Sequence, residues 1–194
     1  MSLRRGLIIV LGAAAFGFLG GLVHGNNGGV RGTIGNISTP WLLVALLPAW
    51  WTRSVWRGAA VGTCATVLAL VTFYVGLTIT MLGHLGNENG QPFMHLVWFV
   101  TKANKVWFEA GLVSGPLFGA FGGLLGKTRR RGILVAVVAL LLVLEPVLFL
   151  YGSAVLGSVG QGPPDETRPY IGEALIGVVV AARALAGGYR RRPA

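Results

Sequence analysis

A glutamate followed by a proline lies in the middle of a long apolar segment of this sequence. Glu145 and Pro146 interrupt residues 132–156, where no other charged residue occurs. A carboxylate is costly at the centre of a bilayer, so we expect Glu145 to be protonated, paired or exposed to a cavity. Pro146 frees the carbonyl of Leu142 and adds a polar atom beside the acid. These features predict that Glu145 and Pro146 bind the polar end of a ligand; the alternative is a neutral acid hydrogen-bonded to a neighbouring helix.

Polar residues that precede a glycine-rich segment form a second candidate site. On a single helix over residues 92–126, four of them would lie within about 80° of one another. These four are His95, Lys102, Lys105 and Glu109. Lys105 and Glu109 also have the i, i+4 spacing of a helical ion pair. Their charges predict a ligand-binding collar that contacts lipid phosphate or an anionic ligand, or else a solvated stripe that faces the headgroups.

No residue pattern in the sequence is typical of an enzyme or of a metal site. Phosphate-binding, metalloprotease and serine-hydrolase motifs are absent. Cys64 is the single cysteine, and Glu173 and Arg183 in the last apolar segment are too far apart to pair with each other. The histidines lack the closely spaced ligands of a zinc site; they are His24, His84 and His95. We therefore predict no catalytic residue, no cofactor and no metal ion.

Glycines repeated every fourth residue indicate how the helices that carry them pack. One repeat comprises Gly111, Gly115, Gly119 and Gly123, and a second comprises Ala13, Gly17 and Gly21. In a soluble helix each glycine costs about 1 kcal/mol relative to alanine, whereas in a bilayer small residues let two helix backbones approach closely. We therefore expect the segment 109–126 to be the central helix. Its glycines would pack either within the chain or between copies in a homo-oligomer.

The composition favours a polytopic membrane protein over a soluble domain. Of the 194 residues, 54% are hydrophobic and 11% are charged. The net charge of +10 comes mainly from basic residues at the ends of apolar segments, which is not the pattern of a nucleic-acid-binding surface. We predict an all-α bundle of six transmembrane helices that forms one domain over residues 1–194. The predicted spans are about 7–23, 40–52, 58–82, 106–126, 132–156 and 169–187, with 92–105 as an interfacial or projecting extension of the fourth.

The distribution of positive charge predicts the orientation of these spans. Most basic residues fall at one end of them, at positions 4, 5, 53, 57, 127, 129–131 and 190–192. By the positive-inside rule both termini are then cytoplasmic, in a multi-pass membrane protein. The second span is short, with Thr39 as its predicted N-cap and Pro40 as its first helical residue. Trp50, near the other end of this span, belongs to an aromatic belt and is a further candidate for ligand contact.

Short matches spread over the whole chain carry a family resemblance. They comprise Arg5-Gly6, Trp50-Trp51, Leu150-Tyr151-Gly152, and Gly177-Val178 with Arg183, Leu185 and Ala186. In this order they resemble the Insig family of six-span membrane sterol sensors, in a small bacterial form. The resemblance implies a helical bundle with a lipid- or sterol-sized cavity that opens within the membrane. Where the eukaryotic family has an acidic residue after span four, this chain reads Gly126-Lys127-Thr128-Arg129, so binding of a sterol-regulated partner is not implied.

Three functions are compatible with these features. The leading hypothesis is a lipid-binding or lipid-sensing protein whose intramembrane cavity holds a diacylglycerol- or sterol-like ligand near Glu145. The alternative is a small secondary transporter, or a substrate-binding membrane subunit, that uses Glu145 as its proton or ligand site. The third is an assembly subunit that docks on another membrane protein through its glycines. The expected partners are membrane lipid and a second copy of the chain, and no nucleic acid.

Overall fold

Helices account for nearly all of the chain that the structure describes. This structure is a computed structural model, and it describes residues 2–25, 29–85, 90–129, 131–156 and 166–189. Within these ranges the chain forms eight helices and no strand. Their bounds are α1 Leu3–His24, α2 Val30–Asn36, α3 Ser38–Trp50, α4 Val55–Leu85, α5 Phe93–Ala103, α6 Lys105–Thr128, α7 Arg131–Leu156 and α8 Arg168–Tyr189.

Five of the described helices are long and apolar enough to cross a membrane, namely α1, α4, α6, α7 and α8. The predicted second span corresponds to α3, whose 13 residues extend only about 20 Å and so fall short of a hydrocarbon core of about 30 Å. The short helix α2, which the sequence did not predict, precedes it. Ile37 separates the two with a non-helical backbone (φ −61°, ψ 122°). Six complete crossings, and the side of the membrane that holds the termini, therefore stay predictions.

Some residues used in the sequence analysis lie outside the described part of the chain. They are Arg130 and residues 190–192 of the basic set. Residues 26–28, 86–89 and 157–165, which fall between the predicted spans, also lie outside the described part. At His84 and at the Leu150-Tyr151-Gly152 match, only the helical backbone is described.

The central helix of the described bundle is α4 rather than α6, so the prediction from the glycine repeat is wrong on this point. Helix α4 packs against α1, α3, α5 and α6, whereas α6 packs against α3, α4 and α5. The reason is that α4 carries glycines on two faces. Gly58 and Gly62 meet α6, and Gly76 meets α1. Helices α7 and α8 pack on each other and reach the rest of the bundle through α3 and α2.

Both predicted glycine repeats lie against the α4 side of the bundle. A side-chain carbon added to Gly119 would collide with the backbone of Gly58, and one added to Gly62 would lie 2.6 Å from the Cα atom of Gly119. Gly123 lies against the backbone of Ser54 and Gly58. The other predicted packing glycines, each with α4 as its neighbour, are Gly17, Gly21, Gly111 and Gly115. These contacts are within one chain, and they let backbones approach to a distance that a methyl group would prevent.

Residues 92–105 do not extend α6 as one continuous helix. Asn104 breaks the helical path (φ −111°, ψ 25°), and its side-chain amide donates to the carbonyl oxygen of Val100 at 2.9 Å. The hydroxyl of Tyr74 on α4 donates to the backbone carbonyl of Asn104 at 3.2 Å and fixes the break against the bundle. The common polar face predicted for a single helix therefore does not run from His95 to Glu109.

Candidate functional site

Glu145 is paired with the beginning of helix α3. Its two carboxylate oxygens accept hydrogen bonds from the backbone N–H groups of Ser38 and Thr39, each at 2.5 Å. The first N–H groups of a helix have no partner inside that helix and carry partial positive charge. Thr39 is almost fully buried, so its N–H group is closed off from solvent. The carboxylate from α7 satisfies these N–H groups instead, and Glu145 is 9% exposed.

The sequence placed the cap of this helix on the wrong residue. Thr39 was predicted as the N-cap, but the N-cap is Ile37, which has no side-chain oxygen to offer. Thr39 lies within the helix and its hydroxyl donates to the carbonyl oxygen of Leu141 on α7 at 3.2 Å. Thr39 and Pro146 are both almost fully buried at this junction. Three hydrogen bonds thus join α3 to α7 where a single local cap was expected.

Glu173 on α8 lies beside this junction, although the sequence analysis gave it no role. Its electrostatic neighbours are Glu145 and Thr39. It is 5% exposed, and neither of its carboxylate oxygens has a hydrogen-bonding partner in the described part of the chain. Tyr170, one turn earlier on the same helix, faces both acids and stacks on Phe149 with ring centroids 5.1 Å apart. The structure therefore brings two buried glutamates together from neighbouring helices, which only their shared position in apolar segments could have suggested.

A cavity of about 250 Å³ lies on the other side of the α3 N-terminus. Its walls come from α1, α2, α3, α4 and α6, together with Asn104 at the α5–α6 break. The apolar wall includes Trp41, Leu70 and Phe73, and the rings of Trp41 and Phe73 meet edge to face with centroids 5.2 Å apart. The polar groups in the lining are contributed by His24, Asn36, Ser38, Thr66, Asn104 and Ser114. An apolar cleft with a few polar groups is the usual form of a small-molecule site.

None of the five residues predicted to bind a ligand lines this cavity. Glu145 and Pro146 lie behind Ser38, whose N–H contacts Glu145 and which itself lines the cavity. Lys105 and Glu109 form an exposed ion pair with 3.7 Å between Nζ and Oε1. Trp50 lies at the opposite end of α3, where Gly126 packs against its backbone.

The polar cavity residues that the sequence analysis missed belong to no motif. Asn36, Asn104 and Ser114 line the same cavity because the end of α2, the α5–α6 break and α6 all border it. Only their polarity near or within apolar segments marked them in the sequence. Among the described residues no group of three or more histidine, cysteine or acidic side chains is placed to hold a metal ion.

These features define an all-α protein whose long apolar helices are those of a polytopic membrane protein. Its described polar interior consists of a paired helix N-terminus, a second buried acid and an adjacent apolar cavity. No protein-family model, no curated protein and no solved structure matches this chain.

Proposed function

We propose that this protein binds a small amphiphilic membrane ligand in the cavity between α1, α3, α4 and α6. The observation that carries the proposal is the cavity itself, in which aromatic and aliphatic walls surround a few polar groups. Its volume of about 250 Å³ is below the range of roughly 300–1,000 Å³ for sites that enclose drug-sized molecules. A single hydrocarbon chain with a small polar end therefore suits it better than an intact sterol or a whole diacyl lipid.

The orientation of the ligand follows from the position of the polar residues. His24 and Asn104 lie at helix ends, whereas Thr66, Leu70 and Gly111 lie deeper in α4 and α6. A ligand with its polar group near His24 and Asn104 would place its hydrocarbon part against the deeper wall. This arrangement puts the polar group of the ligand beside polar side chains and keeps its hydrocarbon part away from water.

We also propose that the protein belongs to a bacterial inner membrane, is of Insig-like type, and crosses the membrane six times with both termini in the cytoplasm. In support, Arg5 of α1 and Arg57 of α4 line one cleft with Trp51 and Thr52, so positive charge collects at one end of the bundle. The residues of the apolar cavity lie toward the other end of α1 and α3.

Native mass spectrometry of the detergent-purified protein, with lipid extraction from the same sample, tests ligand binding. Ser114→Phe fills the cavity, and Val113→Phe adds the same ring to a neighbouring side chain that is 62% exposed. We expect a stoichiometric adduct in the wild type and in Val113→Phe, and its loss in Ser114→Phe. A wild type without adduct, or equal occupancy in the two variants, would contradict the proposal.

A second candidate function is that of a small secondary transporter. The observation that favours it is the interruption at Ile37, because broken helices with an N-terminus inside the bundle are typical of transport sites. In this protein the group facing that N-terminus is the carboxylate of Glu145. Proton-coupled uptake of a solute into liposomes would favour transport, whereas a protein that only binds its ligand would show none.

A further inference from the structure

We propose that Glu173 binds one exchangeable proton inside the bundle, at the junction of α3, α7 and α8. The inference does not depend on the cavity being a ligand site. It rests on three observations: the depth of burial of Glu173, the absence of a hydrogen-bonding partner for its oxygens among the described residues, and the hydrogen bonds that Glu145 already accepts from α3.

Both carboxylate oxygens of Glu145 are already used as hydrogen-bond acceptors. Each of them accepts one backbone N–H, and the carboxylate faces the positive end of α3. The partial charge at one helix N-terminus is about half of an elementary charge, so the N-terminus of α3 does not offset a second carboxylate as well.

No described group stabilises a negative charge on Glu173 in the way that the N-terminus of α3 stabilises one on Glu145. The groups that face it are Glu145 from α7, Thr39 from α3 and Tyr170 from its own helix, and none of them is a cation. On α2, which also touches α8, Arg31 is exposed, and Arg183 is nearly three turns further along α8. Ionised Glu173 would therefore be a second buried negative charge beside the first. Among the described residues the neighbouring hydroxyl is that of Thr39, which already donates to the carbonyl oxygen of Leu141.

Protonation of Glu173 removes the second buried negative charge and gives its carboxyl group a hydrogen-bond donor. When the carboxylate of Glu173 takes up one proton, it becomes a neutral acid with one O–H donor. The two groups near enough to accept from that O–H are the carboxylate of Glu145 and the hydroxyl of Thr39. The pair then carries a single negative charge, which faces the positive end of α3. Ser38, whose N–H donates to Glu145, also lines the cavity, so the junction and the cavity share one residue.

Infrared spectroscopy of the full-length protein in liposomes tests this site, because a neutral carboxylic acid has a carbonyl band distinct from that of a carboxylate. We expect the band at neutral pH in the wild type, its shift in D2O, and its further shift when the protein is made with carboxyl-13C glutamate. Glu173→Gln should lose the band. The matched control, Glu109→Gln, removes an exposed acid and should keep it.

Several results would overturn the proposal. One is a wild type without the band, and another is a band that persists in Glu173→Gln but disappears in Glu145→Gln. A band that does not shift in D2O would show that the proton does not exchange. A band that appears only when NaCl is replaced by choline chloride would assign the site to Na+ instead. Should Glu173→Gln fail to fold, the isotope shift in wild type and in Glu145→Gln still decides where the proton is.

Discussion

Replacement of Glu145 by leucine should strongly destabilise the bundle while leaving membrane insertion intact. The carboxylate accepts two hydrogen bonds at 2.5 Å from the start of α3. Hydrogen bonds to a charged group contribute about 1.5–3 kcal/mol each, so loss of both lowers the free energy of unfolding by about 3–6 kcal/mol. Leucine also leaves two N–H groups without partners inside the protein. Glu145→Gln keeps one acceptor oxygen and should lose about half as much.

The measurement is equilibrium unfolding in mixed micelles by titration with sodium dodecyl sulfate, followed by tryptophan fluorescence. Glu109→Gln is the matched control, because its carboxylate is exposed and paired only with Lys105. Surface changes of this kind alter stability by about 0.5 kcal/mol or less. The expected order of stability is wild type, Glu109→Gln, Glu145→Gln and Glu145→Leu. If Glu145→Leu were as stable as Glu109→Gln, the hydrogen bonds from α3 would not be what attaches α7.

Two further predictions concern α4 and its neighbours. Gly119→Ala should lower the free energy of unfolding by about 1–3 kcal/mol in the same titration, because its methyl group collides with Gly58. Gly12→Ala is the control and should not lower it, because no atom lies within 4 Å of the added carbon. Equal effects of the two changes would contradict the close approach of α4 and α6. Cys64 is exposed and lies about 14 Å from the start of α4. An apolar maleimide should therefore label it in membranes, whereas a charged maleimide should label it only after unfolding. Rapid labelling by both reagents would show that this face of α4 contacts water.

The features that depend on chemical composition and local spacing could be predicted from the sequence. Long apolar segments must form helices in a bilayer, because the backbone can be satisfied only within each segment. Five such helices are present among the described residues. The distance of Glu145 from the ends of its segment was likewise enough to predict that it could not be an unpaired charge.

The partners of these residues could not be predicted, because residues that contact each other in the fold are far apart in the sequence. Ser38 and Glu145 are 107 positions apart, and no feature of either neighbourhood specifies the other. The prediction of Thr39 as N-cap failed for the same reason, since local capping is only one way to satisfy the first N–H groups of a helix. At this junction a carboxylate from another helix satisfies them.

The sequence by itself thus determined that this is a helical, apolar chain with buried acids and with glycines at helix contacts. Only the tertiary structure decided that α4 is central, that residues 92–105 form a separate helix, and that Glu173 joins Glu145 beside a cavity lined by none of the predicted ligand residues. The physical reason is that hydrophobic periodicity and glycine spacing identify which surfaces must be covered. Which helix covers each of them is settled by the fit of whole surfaces, as when Gly58 and Gly62 on α4 receive the glycines of α6.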